Sequence, residues 1–222
     1  AGPANKQGRI VANNMVDGNK SKYSGTIGTS VAKVFDLTVA TAGANAKLLK
    51  REGFKFTSSY THSSSHAGYY PGALSMSIKI LFSPDDGKLL GTQIVGYDGV
   101  DKRIEMAEQV IQRGGSVYDL AELEQAYAPP YSSAKDPMNM AGFVAENILE
   151  GKVKIVQWDE LNVKAKDTIV LDVRTADEYS LGAIPGSVNI PLDSLRSHIN
   201  ELPKDKTIIV NCAVGLRGYL AY

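Results

Sequence analysis

Hydrophobic positions recur along this chain with three different periods, and each marks a different kind of element. Helical spacing comes first. Ile10, Val11 and Met15 form an apolar stripe over residues 3–16, Pro3 suits the first turn, and Gly18 lies just beyond. Residues 29–37 then alternate, Val31, Lys33 and Phe35 against Ala32, Val34 and Asp36, which predicts one strand. A short helix over 45–51, closed by Gly53, and a strand over 54–60 follow. Leu74, Met76, Ile78, Ile80 and Phe82 carry the period-two mark of a half-buried strand, and Pro84-Asp85-Asp86-Gly87 turns it into a returning strand over 88–97. Three helices come next. Residues 101–113 bury Ile104, Ala107, Val110 and Ile111; a capping box at 116–119 opens a helix ended by Pro129-Pro130; Asp136-Pro137 caps a third that runs to Glu150 and stops at Gly151. From Lys152 the pattern changes again. Residues 168–173 and 207–210 are continuous apolar runs, the form of strands covered on both faces, so a second unit with a parallel sheet is predicted.

At 222 residues and 43% hydrophobic the chain can fill a core in one or two domains. Its 24 basic and 24 acidic side chains balance, so neither nucleic acid nor an anionic membrane is favoured as a partner. A single cysteine excludes an internal disulfide and fits a reducing, cytoplasmic setting. The three histidines, His62, His66 and His198, lack metal-ligand spacing, so no metal site is expected and each is read as a surface or loop residue. No apolar run approaches the roughly 18–20 residues that span a bilayer. The start at Ala1-Gly2-Pro3 has no leader pattern and reads as mid-protein.

The lone Cys212 stands where the strand 207–210 hands over to a helix, a place where backbone N–H groups and the helix dipole favour thiolate. Buried free cysteine is often inert packing. Here, however, Arg217 follows five residues later with Gly215 between, so the loop of Ala213, Val214, Gly215 and Leu216 can curl its amides toward the sulfur. Together with Asp172-Val173-Arg174-Thr175-Ala176-Asp177-Glu178-Tyr179 and Gly182-Ala183-Ile184-Pro185-Gly186-Ser187, this resembles the rhodanese sulfurtransferase family. The resemblance implies an α/β domain in which Cys212 becomes a persulfide, the loop amides of 213–217 cradle it and Arg217 adds positive charge. Asp172 and Arg174 either organise the loop from the neighbouring strand or form a plain strand-end ion pair. Related phosphatases carry a loop one residue longer, so four intervening residues favour sulfur over phosphate. The family's domain continues beyond the point where this chain stops, which predicts an incomplete rhodanese domain.

Before residue 151 the residues themselves show no acid–base constellation. Their odd feature is aromatic: His66-Ala67-Gly68-Tyr69-Tyr70-Pro71-Gly72 and Ala126-Tyr127-Ala128-Pro129-Pro130-Tyr131-Ser132 place four tyrosines on two loops. Those stretches, the opening residues 1–9 and residues 29–36 resemble the coenzyme A-disulfide reductases among the pyridine nucleotide-disulfide oxidoreductases, and the appended domain resembles their fused form, the persulfide reductases. The resemblance implies a tail of an FAD-binding domain over 1–22, with Pro3, Ala4 and Asn5 near the flavin. It further implies an α+β dimerisation domain over 23–151 and an incomplete α/β rhodanese-like domain over 152–222. FAD, NAD(P)H and coenzyme A are expected in the parent protein, with none held by this chain alone. A homodimer, thiol or persulfide substrates and a flavin-binding half in the same polypeptide are the expected partners. Tyr69 or Tyr70, and Tyr127 or Tyr131, would serve the partner subunit's redox centre, Tyr69 and Tyr127 being favoured. The alternatives are a non-catalytic dimerisation fragment and a stand-alone sulfurtransferase.

Overall fold

The computed structural model describes residues 1–162 and 165–222. Its first element, α1 (Gly2–Asp17), begins with proline in the first turn and has no buried residue. Strand β1 (Ser30–Val34) returns at once as β2 (Leu37–Gly43), with Val34 opposite Leu37. The single strand read over 29–37 is therefore a hairpin. Phe35 takes a left-handed φ of 51° at its tip, a turn that strict alternation cannot reveal. Next come α2 (Ala46–Arg51), capped by the Asn45 side chain, then β3 (Thr57–Ser64), β4 (Ser75–Phe82) and β5 (Leu89–Gly96). The strand expected over 54–60 starts later and continues through polar Thr61, His62 and Ser63, which pair with β4.

The five strands form one antiparallel sheet in the order β1-β2-β5-β4-β3. Its inner face, with Ala40, Met76, Ile78, Ile80 and Ile94, packs on α3 (Val100–Gln112), α4 (Val117–Ala121) and α5 (Pro137–Leu149) through Ile104, Ala107, Val110, Leu120, Met138 and Ala141. The helix opened by the capping box at Ser116 ends at Ala121, well before Pro129-Pro130. Asn139 explains the stop: its side-chain amide donates to the carbonyls of Leu120, Ala121 and Leu123, taking up acceptors that a continuing helix would use. The freed segment carries Tyr127 and Tyr131 across the surface as an irregular loop.

The second unit consists of β6 (Thr168–Asp172), α6 (Ala176–Ser180), β7 (Val188–Asn189), α7 (Leu192–His198), a 3-10 turn (Ile199–Glu201), β8 (Thr207–Asn211) and α8 (Leu216–Ala221). Its strands are parallel, in the order β7-β6-β8. The predicted covering holds for β6, whose Val170, Leu171 and Asp172 are buried. It does not hold for β8, an edge strand of this sheet whose residues are half-buried or exposed. Among the described residues, two side-chain bonds join the units: Asn147 of α5 donates to the Tyr219 hydroxyl of α8 at 2.5 Å, and Gln157 donates to the carbonyl of Ser58 at 3.0 Å.

Candidate functional site

Cys212 directly follows β8, and its half-buried sulfur faces back into the turn that starts α8. Gly215, at φ 99°, reverses the loop so that its N–H points at Sγ from 3.1 Å; the Gly218 N–H adds a second contact at 3.4 Å. A residue with a Cβ would be strained at that φ. The amide cradle expected from 213–217 thus narrows to Gly215 and extends to Gly218; no bond from Ala213, Val214 or Leu216 to the sulfur is among those described. Arg217 does not stand free beside the thiol. Both its terminal nitrogens donate to Glu178 of α6, at 2.6 and 2.7 Å. That pairing raises the guanidinium above its usual value, with a smaller contribution from the Cys212 sulfur alongside. The same two bonds, helped by the Thr175 backbone, pull the Glu178 carboxyl down to about 2.

Asp172, at the buried end of β6, receives three bonds from the Arg174 side chain, Nε reaching both carboxylate oxygens and Nη2 one, and a fourth from its backbone. Burial pushes its carboxyl up, but the Arg174 and Asn211 bonds outweigh this and hold it below the usual carboxylate range. Both readings of Asp172 therefore apply: it is a strand-end ion pair, and through Asn211 Nδ2 at 3.3 Å it also ties down the residue preceding Cys212. Arg174, Gly182, Ala183, Ile184, Pro185, Asn211, Cys212 and Ala213 surround an open cavity of about 610 Å³ at the sulfur.

On the first unit the hydroxyls of Tyr69 and Tyr127 meet at 3.0 Å across their two loops. This bond favours the protonated phenol and raises Tyr127 above its ordinary value. Tyr70 instead packs edge-on against His66, ring centroids 5.8 Å apart, and Tyr131 is exposed without joining the pair. His66 is buried rather than on the surface. Pro3, Ala4 and Asn5 lie exposed in the first turn of α1, far in sequence from either site. Among the described residues no cluster of His, Cys, Asp and Glu could hold a metal ion, and no helix is long and apolar enough to cross a membrane.

Residues 29–138 match the family model of the pyridine nucleotide-disulphide oxidoreductase dimerisation domain, and residues 157–222 match that of the rhodanese-like domain. The chain joins these two domains in that order. It is 34% identical over 143 residues to the coenzyme A disulfide reductase of Staphylococcus epidermidis, covering 64% of this chain and 32% of that relative. Across 99% of its length it overlays reduced Bacillus anthracis CoADR-RHD with a TM-score of 0.94 and 50% identity, covering 40% of that chain. The NAD-dependent persulfide reductase from A. fulgidus follows at 0.85 and 38%, with 98% and 39% covered. The chain thus spans about a third of the curated relatives it matches and two-fifths of these solved structures.

Beneath the tyrosine loops of the dimerisation domain lies a charged core that sequence reasoning missed. Arg103 of α3 is fully buried, forms an ion pair with Asp136 at 2.9 Å and donates to the carbonyls of Ser65 and Gly99. Ser132 donates to the same carboxylate at 2.5 Å. The Ala67 N–H bonds the Ser132 carbonyl, so one buried pair holds the bases of both tyrosine loops. The signal was present: Arg103 sits between Val100 and Ala107 on the buried face of α3, where an arginine needs a buried partner. In the rhodanese-like domain Glu178 was missed as a functional residue because, at N3 of α6 behind Thr175, it already has a complete role as a helix cap.

Proposed function

We propose that this chain is the C-terminal portion of an FAD- and NAD(P)H-dependent coenzyme A-disulfide or persulfide reductase, in which Cys212 carries sulfane sulfur. The Cys212 loop is the observation that carries this reading: a thiol at a strand end, two amides on its sulfur and a cavity in front. Those amides would stabilise a negative sulfur in the manner of an oxyanion hole. Attack of the Cys212 thiolate on the outer sulfur of a persulfide R–S–SH forms the Sγ–S bond. The donor's S–S bond breaks, the electron pair leaves with R–S⁻, and Cys212–S–SH remains; no net oxidation occurs.

The likeness to the named reductases supports the assignment of the dimerisation domain to the same enzyme, working as a homodimer in the cytoplasm. FAD, when bound, would pass electrons from NAD(P)H to a thiol–disulfide centre. This chain's contribution to holding it would be the first turn of α1 at Pro3, Ala4 and Asn5: the turn is solvent-open and has no acidic residue, which suits an electron-rich edge or phosphate of the flavin. The Tyr69–Tyr127 pair, in which their shared bond favours the protonated Tyr127 phenol, would donate a proton to a departing thiolate. Tyr70 and Tyr131 are the weaker candidates because neither shares that bond.

Intact mass before and after a sulfane-sulfur donor tests the reading. A gain of about 32 Da, absent in Cys212→Ser, is the expected result. A folded wild-type chain that gains nothing would overturn it.

A further inference from the structure

We propose that the groove between β3 and the segment leading into the rhodanese-like domain binds a purine nucleoside diphosphate, which pins that segment to the dimerisation domain. The groove shares no residue with the sulfur cavity or the tyrosine loops, so it stands whether or not Cys212 carries sulfur.

The groove opens beside the outer face of the sheet, where Tyr60 of β3 lies opposite Lys79 of β4. It is bordered by α2 with the Phe54-Lys55-Phe56 stretch that follows, and by residues of the interdomain segment between 155 and 160. The Gln157 bond to the Ser58 carbonyl fastens that segment to β3. The cavity measures about 730 Å³, within the range of small-ligand sites.

Two kinds of side chain meet there. Phe54, Tyr60 and Trp158 are exposed aromatic rings from three separate parts of the chain, and a flat base gains by stacking on such faces. Lys50, Lys55 and Lys79 bring three ammonium groups, and none of them is in an ion pair among the described residues. Lys79 Nζ lies 5.0 Å from the Tyr60 ring centroid, a contact that orders the ammonium without neutralising it. Such ammonium groups bind phosphate as point charges. The acidic side chains of the groove, Asp159 and Glu160, both belong to the interdomain segment, and Glu160 already accepts the Gln157 N–H. Asp159 can accept from ribose hydroxyls or an exocyclic amine, donors that a simple polyanion lacks. The aromatic faces come from both sides of the Gln157–Ser58 bond, so a base stacked on them ties the segment down.

Trp158 is the chain's single tryptophan, so its emission reports this groove. Titrating the 222-residue chain with ADP should quench that emission saturably, with a Kd below about 1 mM. Adenosine lacks the phosphates and pyrophosphate lacks the ring, so calorimetry should find each bound at least about tenfold more weakly. The double variant Lys50→Gln/Lys79→Gln changes no buried side chain; it should weaken ADP about tenfold and leave adenosine unchanged. Phe54→Ser, also at the surface, should weaken ADP and adenosine alike while pyrophosphate is unaffected. Hydrogen exchange over residues 155–160 should slow when ADP is present. No saturable quenching up to about 10 mM ADP, pyrophosphate binding as tightly as ADP, or an unchanged ADP Kd in the double lysine variant would overturn the site. Binding of ADP with no slowing of exchange over 155–160 would overturn the pinning.

Discussion

Glu178 also links the sulfur loop to acid stability. Its carboxyl falls from 4.5 to about 2 in the folded chain, so the folded state holds it ionised where the unfolded state would take up a proton. A depressed carboxyl stabilises above its unfolded value and loses that contribution as pH drops through the folded one. Thermal melts should therefore show a loss of stability between pH 4.5 and about 2, and Glu178→Gln should flatten that part of the profile. Asp136 differs because it is buried. Burial raises its carboxyl, yet bonds from Arg103, Met138 and Ser132 prevail and keep it below the ordinary value. Removing one member of such a pair strands the other in the core. Arg103→Met should cost about 3–5 kcal/mol in denaturant unfolding, far more than a surface ion pair such as Arg51–Glu52, worth about 0–1 kcal/mol. Replacing both Arg103 and Asp136 by apolar residues should recover much of that loss.

Among the elements, legibility followed how much each depends on its own residues. The α5 helix was readable at both ends because Asp136, Pro137 and Gly151 act locally. The β4–β5 hairpin was readable because alternation and a Pro–Asp–Asp–Gly turn agree. The early end of α4 was not, since it depends on Asn139 reaching back from another helix. Strand β2 went unread because the turn at Phe35-Asp36 lacks the usual Asn-Gly or Asp-Gly pair. At the site, the thiol, its loop and the tyrosine pair could be read from motifs, whereas the Glu178–Arg217 bond spans 39 residues and appears only in three dimensions. The close fit of α4 on α5 also has a measurable consequence. A Cβ on Gly142 would come within 2.5 Å of the Ala121 backbone nitrogen, so Gly142→Ala should destabilise the dimerisation domain by about 1–3 kcal/mol despite its better helix propensity, as read by denaturant midpoint.

At the scale of the whole molecule, the proposed homodimer is directly measurable: sedimentation should give about twice the chain's 23.8 kDa. The two domains of one chain are joined by side-chain bonds at Asn147 and Gln157. Asn147→Ala removes the bond to Tyr219 and should cost about 1 kcal/mol of docking, seen as faster hydrogen exchange in α8 while α5 remains protected. Contacts between domains of one chain are commonly light enough for the domains to part and return. Residues 150–156, which lead into the Gln157 bond to Ser58, nevertheless keep them on one covalent leash. A connection of that length holds two groups at an effective concentration on the order of millimolar. If Cys212 carries sulfur as proposed, that atom would therefore meet the dimerisation domain of its own polypeptide as if dissolved beside it at that strength, without being released into the surrounding pool of thiols.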